Sequence, residues 1–214
     1  MGHPLGRSQS LACLVQFMSD VALSIALGIG LAAATGFRVF LPMLIVSAGA
    51  YTGHLPLGDS FAWLGTPSAL TMLSVATIVE ILAYCIPGLD NLLDTLATPA
   101  AFIAGTIVSA AVMTDVPPMV KWTAAVIAGG GIAGVTQGVT ATLRAHSTIW
   151  TGGLGNLALS AAELGGALLV SFLALAAPAA AIALVVLFLW IAIRLLRRLL
   201  LGARPSAPKD DRFG

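Results

Sequence analysis

Charge is what this sequence has least of. Among 214 residues there are ten Lys or Arg and nine Asp or Glu, 9% in all, where a soluble domain carries about 25%. So few charges cannot make a surface that faces water, and a formal net charge of +1 gives no case for a nucleic-acid partner. Cysteine is nearly absent: Cys13 and Cys85 are the only two, and neither their spacing nor their setting reads as a disulfide or a metal site. Zinc motifs, a phosphate loop, a dinucleotide fingerprint and a nucleophile elbow are all missing. No serine has a nearby histidine in sequence that would nominate it as a nucleophile. Enzymatic activity is therefore disfavoured, and no metal or cofactor is expected. His54 and His146 have no companion at ligand spacing and read as interfacial residues. Short alternating apolar and polar strands, the mark of a membrane β-barrel, are also lacking.

What the sequence does have is apolar length. It is 58% hydrophobic with a mean hydropathy of +1.00, and its apolar tracts each approach or exceed the roughly 20 residues needed to cross a hydrocarbon core of about 30 Å. The chain is predicted to be an all-α membrane protein, a helical bundle in the lipid bilayer. Arg194, Arg197, Arg198, Arg204, Lys209 and Arg212 follow the last tract, which places the C-terminus in the cytoplasm. Residues 204–214 form a basic cytoplasmic tail. Residues 1–19, where the apolar run 11–17 is too brief for a span, read as an N-terminal tail on the same side. Residues 20–203 form a single transmembrane domain.

Residues 20–51 are too long for one simple span. Gly28, Gly30 and Gly36 weaken the stretch, Pro42 removes a donor and Arg38 lies within it, so two half-helices broken near Thr35 and Gly36 are expected. A connection over 52–66 carries Trp63 as an interfacial anchor. Thr66-Pro67 pairs a capping residue with a first-turn proline and opens a span to about Ile86. A loop over 87–94 follows, and Thr98-Pro99 opens a span to about Met113 on the same logic. Residues 118–148, with Gly129, Gly130, Gly131, Gly134 and Gly138 around Gln137, are expected to be broken as well. A glycine-rich loop over 150–156, a span over 157–176 and a final span from Pro178 complete the chain. The order suggests two similar halves, about 20–114 and 118–203, each a glycine-broken segment, re-entrant or kinked, followed by two transmembrane helices.

Ionisable residues inside apolar spans cost a few kcal/mol and need a partner, water or a function. Glu80 and Glu163 occupy equivalent spans of the two halves. With Arg38 and Gln137 they are candidates to line a shared polar cavity that binds an ion, a proton or an anionic head group. Each also has a structural reading, a protonated glutamate bonded to a neighbouring helix or an Arg38 that only neutralises a carboxylate. Asp90 and Asp94 are four apart and suit turn and helix-start chemistry, with metal binding the weaker alternative. Asn156, after Gly152-Gly153-Leu154-Gly155, has the same local explanation. The glycines equally suit close helix packing.

The strings Gly30-Leu-Ala-Ala-Ala-Thr-Gly-Phe-Arg38 with Leu41-Pro42, Glu80-Ile-Leu-Ala with Ile86-Pro-Gly-Leu-Asp-Asn-Leu-Leu-Asp94, and Thr151-Gly-Gly-Leu-Gly-Asn156 with Ser160 and Glu163 resemble a bacterial membrane family, domain of unknown function 4126, over about residues 18–198. Tyr84 departs from that pattern where a charged or polar residue is expected, and Leu157 where proline is. The resemblance implies an inner-membrane location and supplies no reaction. The residues themselves suggest a small transporter or channel. The alternatives are a scaffold that assembles through its glycine faces, as a homo-oligomer or with partners, and a protein that handles lipid head groups through Arg38.

Overall fold

The computed structural model describes residues 7–84, 86 and 89–202. The chain forms α1 (Arg7–Thr35), α2 (Phe40–Tyr51), a 3-10 segment (Asp59–Gly65), α3 (Pro67–Ala83), α4 (Leu89–Val112), α5 (Pro118–Ala124), a π-helical turn (Ala125–Gly130), α6 (Gly131–Thr151), α7 (Leu154–Ala176) and α8 (Pro178–Gly202). No strand occurs among the described residues. Five helices are long and apolar enough to cross a bilayer, and a sixth is obtained if the 3-10 segment and α3, bent by 66°, count as one. The protein is accordingly a multi-pass helical membrane protein.

Its burial pattern suits a lipid solvent. Met72, Ile78 and Leu82 of α3, Phe172 of α7 and Leu187 of α8 are exposed, while Arg38 and Arg144 are 1% exposed. Thr71, Ser74 and Thr77 donate to the carbonyls of Pro67, Leu70 and Leu73 at 2.7–2.8 Å, so the α3 hydroxyls are satisfied within their own helix. Trp63 and Trp122 lie toward one end of the bundle and Trp150 at the other, all about half exposed or more, as expected of side chains that favour the head-group level.

Several helix ends follow directly from local chemistry. The Thr66 hydroxyl accepts from Ala69 N at 3.3 Å with proline at the first helical position, and α8 starts on Pro178. Between α6 and α7 the reversal needs only Gly152 and Gly153, at φ +63° and +94°, values that side chains disfavour.

Other expectations are corrected. The stretch read as a loop over 87–94 is already helical from Leu89, and Pro99 lies inside α4 rather than at its start. A membrane helix tolerates an interior proline where its neighbours satisfy the one carbonyl it frees, here that of Thr95, four residues before Pro99. Of the stretch read as a tail, residues 7–19 belong to α1, which continues through Asp20. The second glycine-rich stretch is not broken: residues 118–151 run as one helical segment with a single π turn at Ala125–Gly130. In lipid a broken helix leaves backbone groups unpaired at several kcal/mol each, which outweighs the weak helix propensity of glycine. Residues 85, 87 and 88 and the tail over 203–214 lie outside the described residues.

The first stretch does leave the helix, after Thr35, and resumes it at Phe40. Gly28 abuts Ser109 and Met113 near the end of α4. Past the far end of α2, Gly58 N donates to Ala111 O at 2.9 Å. Gly28 of α1 and the connection that follows α2 therefore both lie beside the C-terminal end of α4, with the turn at 36–39 inside the bundle. Glycine permits that depth: a Cβ on Gly36 would sit 2.5 Å from Ala133 O and from Thr136 Cβ. Gly105 and Gly129 are similarly pressed between α4 and α6, whereas Gly131 and Gly138 have nothing within 4 Å and take no part in close packing.

Candidate functional site

The turn at 36–39 delivers Arg38 to a cluster of charged side chains. Arg38 Nη2 donates to Ser160 O at 2.9 Å and to Ser160 Oγ, and lies 3.8 Å from Glu163 Oε2. Arg144 binds two carboxylates: Nη1 donates to Asp94 Oδ1 at 2.9 Å and Nη2 to Glu163 Oε2. Glu163 thus bridges two guanidinium groups. The Tyr84 ring has both of them near its face, each Cζ 4.3 Å from the centroid, an arrangement favoured by the ring quadrupole. Its hydroxyl donates to Asp94 Oδ1 at 3.2 Å, and Gln137 Nε2 approaches the same oxygen at 3.4 Å. Asp94 and Glu163 are each 7% exposed. Two positive and two negative side chains from the α1–α2 turn, α4, α6 and α7 are held together in a buried interior, where Coulomb attraction is strong and removal of one partner is costly.

This cluster is displaced toward one end of the bundle. Arg144 is seven residues from the end of α6, about 10 Å at 1.5 Å per residue.

Glu80 has a different task from Glu163. The α2 N-terminus leaves its first N–H groups without helical partners, and Glu80 accepts from Val39 N at 2.7 Å and Phe40 N at 3.2 Å with its two oxygens. It is an N-cap supplied by another helix, favoured further by the positive end of the α2 dipole. Glu80→Ala is expected to destabilise the protein by about 1–2 kcal/mol, the worth of a lost cap, with Glu80→Gln intermediate; thermal unfolding in mild detergent measures both.

The two glutamates open onto separate cavities. Glu80 and Tyr84 line an apolar cleft of about 1080 Å³ between α3 and α4. Glu163 lines a pocket of about 100 Å³ with Phe37, Thr140 and Phe188. The structure brings Arg38, Glu163, Gln137 and Asp94 into one cluster. Asn156 braces the α6–α7 reversal by donating from Nδ2 to Thr148 Oγ1 at 2.7 Å. Asp90 falls in the first turn of α4, and its side chain lies outside what the structure describes.

Arg144 and Tyr84 are the residues that sequence reasoning misses. A signal for Arg144 exists: Gln137, Thr140 and Arg144 recur at helical spacing in an apolar segment, and all three are buried, yet an arginine so near a helix end passes for a marker of membrane sidedness. Tyr84 lies one turn beyond Glu80 on the same face. As a departure from the family pattern it argues against a charge cluster, and the structure places it in contact with both arginines.

No curated protein and no solved structure gives a significant match to this chain. The family model described as domain of unknown function (DUF4126) matches residues 25–198, which includes every member of the cluster, and the chain belongs to that family.

Proposed function

We propose that this protein is a small transporter of the cytoplasmic membrane, not an enzyme, and that its substrate carries an anionic group held by Arg38. The observation that supports this reading is the unspent capacity of Arg38. Its Nε and Nη1 are buried and have no acceptor among the described residues. A buried guanidinium donor without a partner costs more than an ordinary unmade hydrogen bond, and an anion arriving beside Glu163 and Ser160 offsets that cost. The carboxylates supply the counter-charge: Glu163 exchanges between the two arginines as ligand enters and leaves.

In this reading the α1–α2 pair is a re-entrant hairpin, with its turn at 36–39 lining the site. Helices α3, α4, α6, α7 and α8 make the crossings, an odd number. With the arginines at the end of α8 in the cytoplasm, α1 begins on the other face. This departs from the count in which both termini are cytoplasmic, because the second glycine-rich stretch is a full crossing. The two-halves reading keeps Glu80 and Glu163 as the acidic residues of the helix after each glycine-rich segment, but only the first segment is interrupted.

The test uses purified protein in liposomes on a solid-supported membrane, with jumps in small inorganic and organic anions. Wild type should give saturable transient currents. Arg38→Lys keeps a charge for Ser160 and Glu163 but lacks the guanidinium donors, and should raise the half-saturating anion concentration about tenfold, equivalent to one charge-assisted hydrogen bond. Currents that are identical for the two proteins would remove Arg38 from the site.

A lipid head-group protein is the second reading, and the apolar cleft between α3 and α4 favours it. Lipid that co-purifies with wild type but is lost on Arg38→Ala would support that version, and lipid retained by Arg38→Ala would count against it.

A further inference from the structure

The groove between α4 and α6 is distinct from the α3–α4 cleft and ends on Asp94. It has a volume of about 620 Å³ and is lined by Asp94, Thr95, Thr98, Thr142, Ala145 and Thr148 among others. Thr148 is in the last turn of α6, close to the exposed Trp150, so the groove opens at the head-group level and reaches inward for about two helical turns. The small Ala141 and Ala145 leave its width on the α6 side.

The chemistry of this wall is one-sided. Each hydroxyl carries one proton and two lone pairs. Thr98 donates its proton to Asp94 O at 3.1 Å, Thr142 to Gly138 O at 2.6 Å and Thr148 to Arg144 O at 3.0 Å. With those protons turned onto backbone carbonyls, the oxygens present acceptors to the groove. Thr148 Oγ1 already receives one donor, from Asn156. Asp94 adds a carboxylate to the floor. The nearest cation, Arg144, lies behind it at 1% exposure, and His146 turns Nδ1 to the Thr142 carbonyl at 3.0 Å and is not part of the lining.

We infer that the α4–α6 groove is a water-filled vestibule that admits small cations, hydronium included, to Asp94 and screens out anions. Such a path would let a proton or cation reach the Asp94–Arg144 pair and weaken it from outside, freeing Arg144 to favour an anion at the neighbouring site. The link to transport rests on the reading above, but the vestibule itself does not.

The test needs no flux. In protein whose Cys13 and Cys85 are replaced by Ala, single cysteines at Thr98, Thr142 and the lipid-facing Ile103 are reacted with two water-borne methanethiosulfonates, one carrying trimethylammonium and the other sulfonate. Rates are normalised to those with a free thiol. The Thr98 and Thr142 positions should react and Ile103 should not. The normalised cation-to-anion ratio at Thr142 should exceed one and fall about fivefold when Asp94→Asn is added, as expected for removal of one nearby charge. If Asp94→Asn does not fold, raising the salt concentration should reduce the same ratio in the parent. No reaction at either threonine position, or a ratio that neither Asp94→Asn nor salt changes, would overturn the vestibule. Labelling as expected with no anion currents would leave the vestibule standing and reject the transport reading alone.

Discussion

Arg144→Ala is expected to destabilise the protein by about 3–5 kcal/mol, because it leaves two buried carboxylates without their shared partner. Arg144 is the hub of the cluster: it bonds Asp94 and Glu163 and lies over Tyr84. Arg144→Lys should recover only part of the loss, since a lysine offers one point charge where the guanidinium reaches two carboxylates and a ring at once. Neutralising both acids with Asp94→Asn and Glu163→Gln in the Arg144→Ala background should restore stability relative to Arg144→Ala alone, because the penalty arises from the stranded charges. The comparison is Arg194→Ala, which removes a guanidinium from the surface of α8, where it lies 5.1 Å from the Trp190 ring, and which should cost no more than about 0.5 kcal/mol. Thermal or denaturant unfolding in one detergent compares the set. Equal effects for Arg144→Ala and Arg194→Ala would mean that the ionic cluster contributes nothing to the fold.

Gly36→Val is expected to be comparably severe by a different route. Its new Cβ would fall 2.5 Å from a backbone carbonyl of α6 as well as from Thr136, and a backbone atom in a packed helix cannot yield without moving the helix. Overpacking of this kind costs about 1–3 kcal/mol and occasionally more. Any relief separates the 36–39 turn from α6, which displaces Arg38 two residues later, so anion-driven currents should fall together with stability. Gly131→Ala, in the other glycine stretch, meets nothing within 4 Å. It should be neutral or stabilise by up to about 1 kcal/mol through helix propensity. This pair of variants separates glycines that permit close packing from glycines that lipid simply tolerates.

That distinction also explains how much can be read from the sequence. Membrane class and most spans are legible because lipid selects first for apolar length, and the starts at Pro67 and Pro178 are legible because each combines proline with a local stop. The interior position of Pro99 and the continuity of 118–151 are not. Rules for helix breaking are calibrated in water, where an interrupted helix exposes its backbone to solvent, whereas in a bilayer the interruption itself is the expensive state. The cluster is half legible. Glu163, Arg38 and Gln137 stand out as polar letters in apolar runs. Arg144 resembles a loop charge because it sits near a helix end, and Asp94 resembles a turn residue because Pro87-Gly88 precedes it. Their pairing across fifty residues depends on tertiary packing that no local pattern contains.

In the proposed hairpin the α1–α2 pair returns to the face it came from and so brings Arg38 to Ser160 and Glu163, and the proposed site stands or falls with that return. Exposed Cys13, kept as a single thiol after Cys85→Ala, and single cysteines at Thr52, Asp115 and Ser147 can be titrated with a membrane-impermeant thiol reagent in sealed, oriented vesicles. Positions 13, 52 and 115 should be modified from one face and position 147 from the other. Finding 13 and 52 on opposite faces would contradict the hairpin and, with it, the placement of the site.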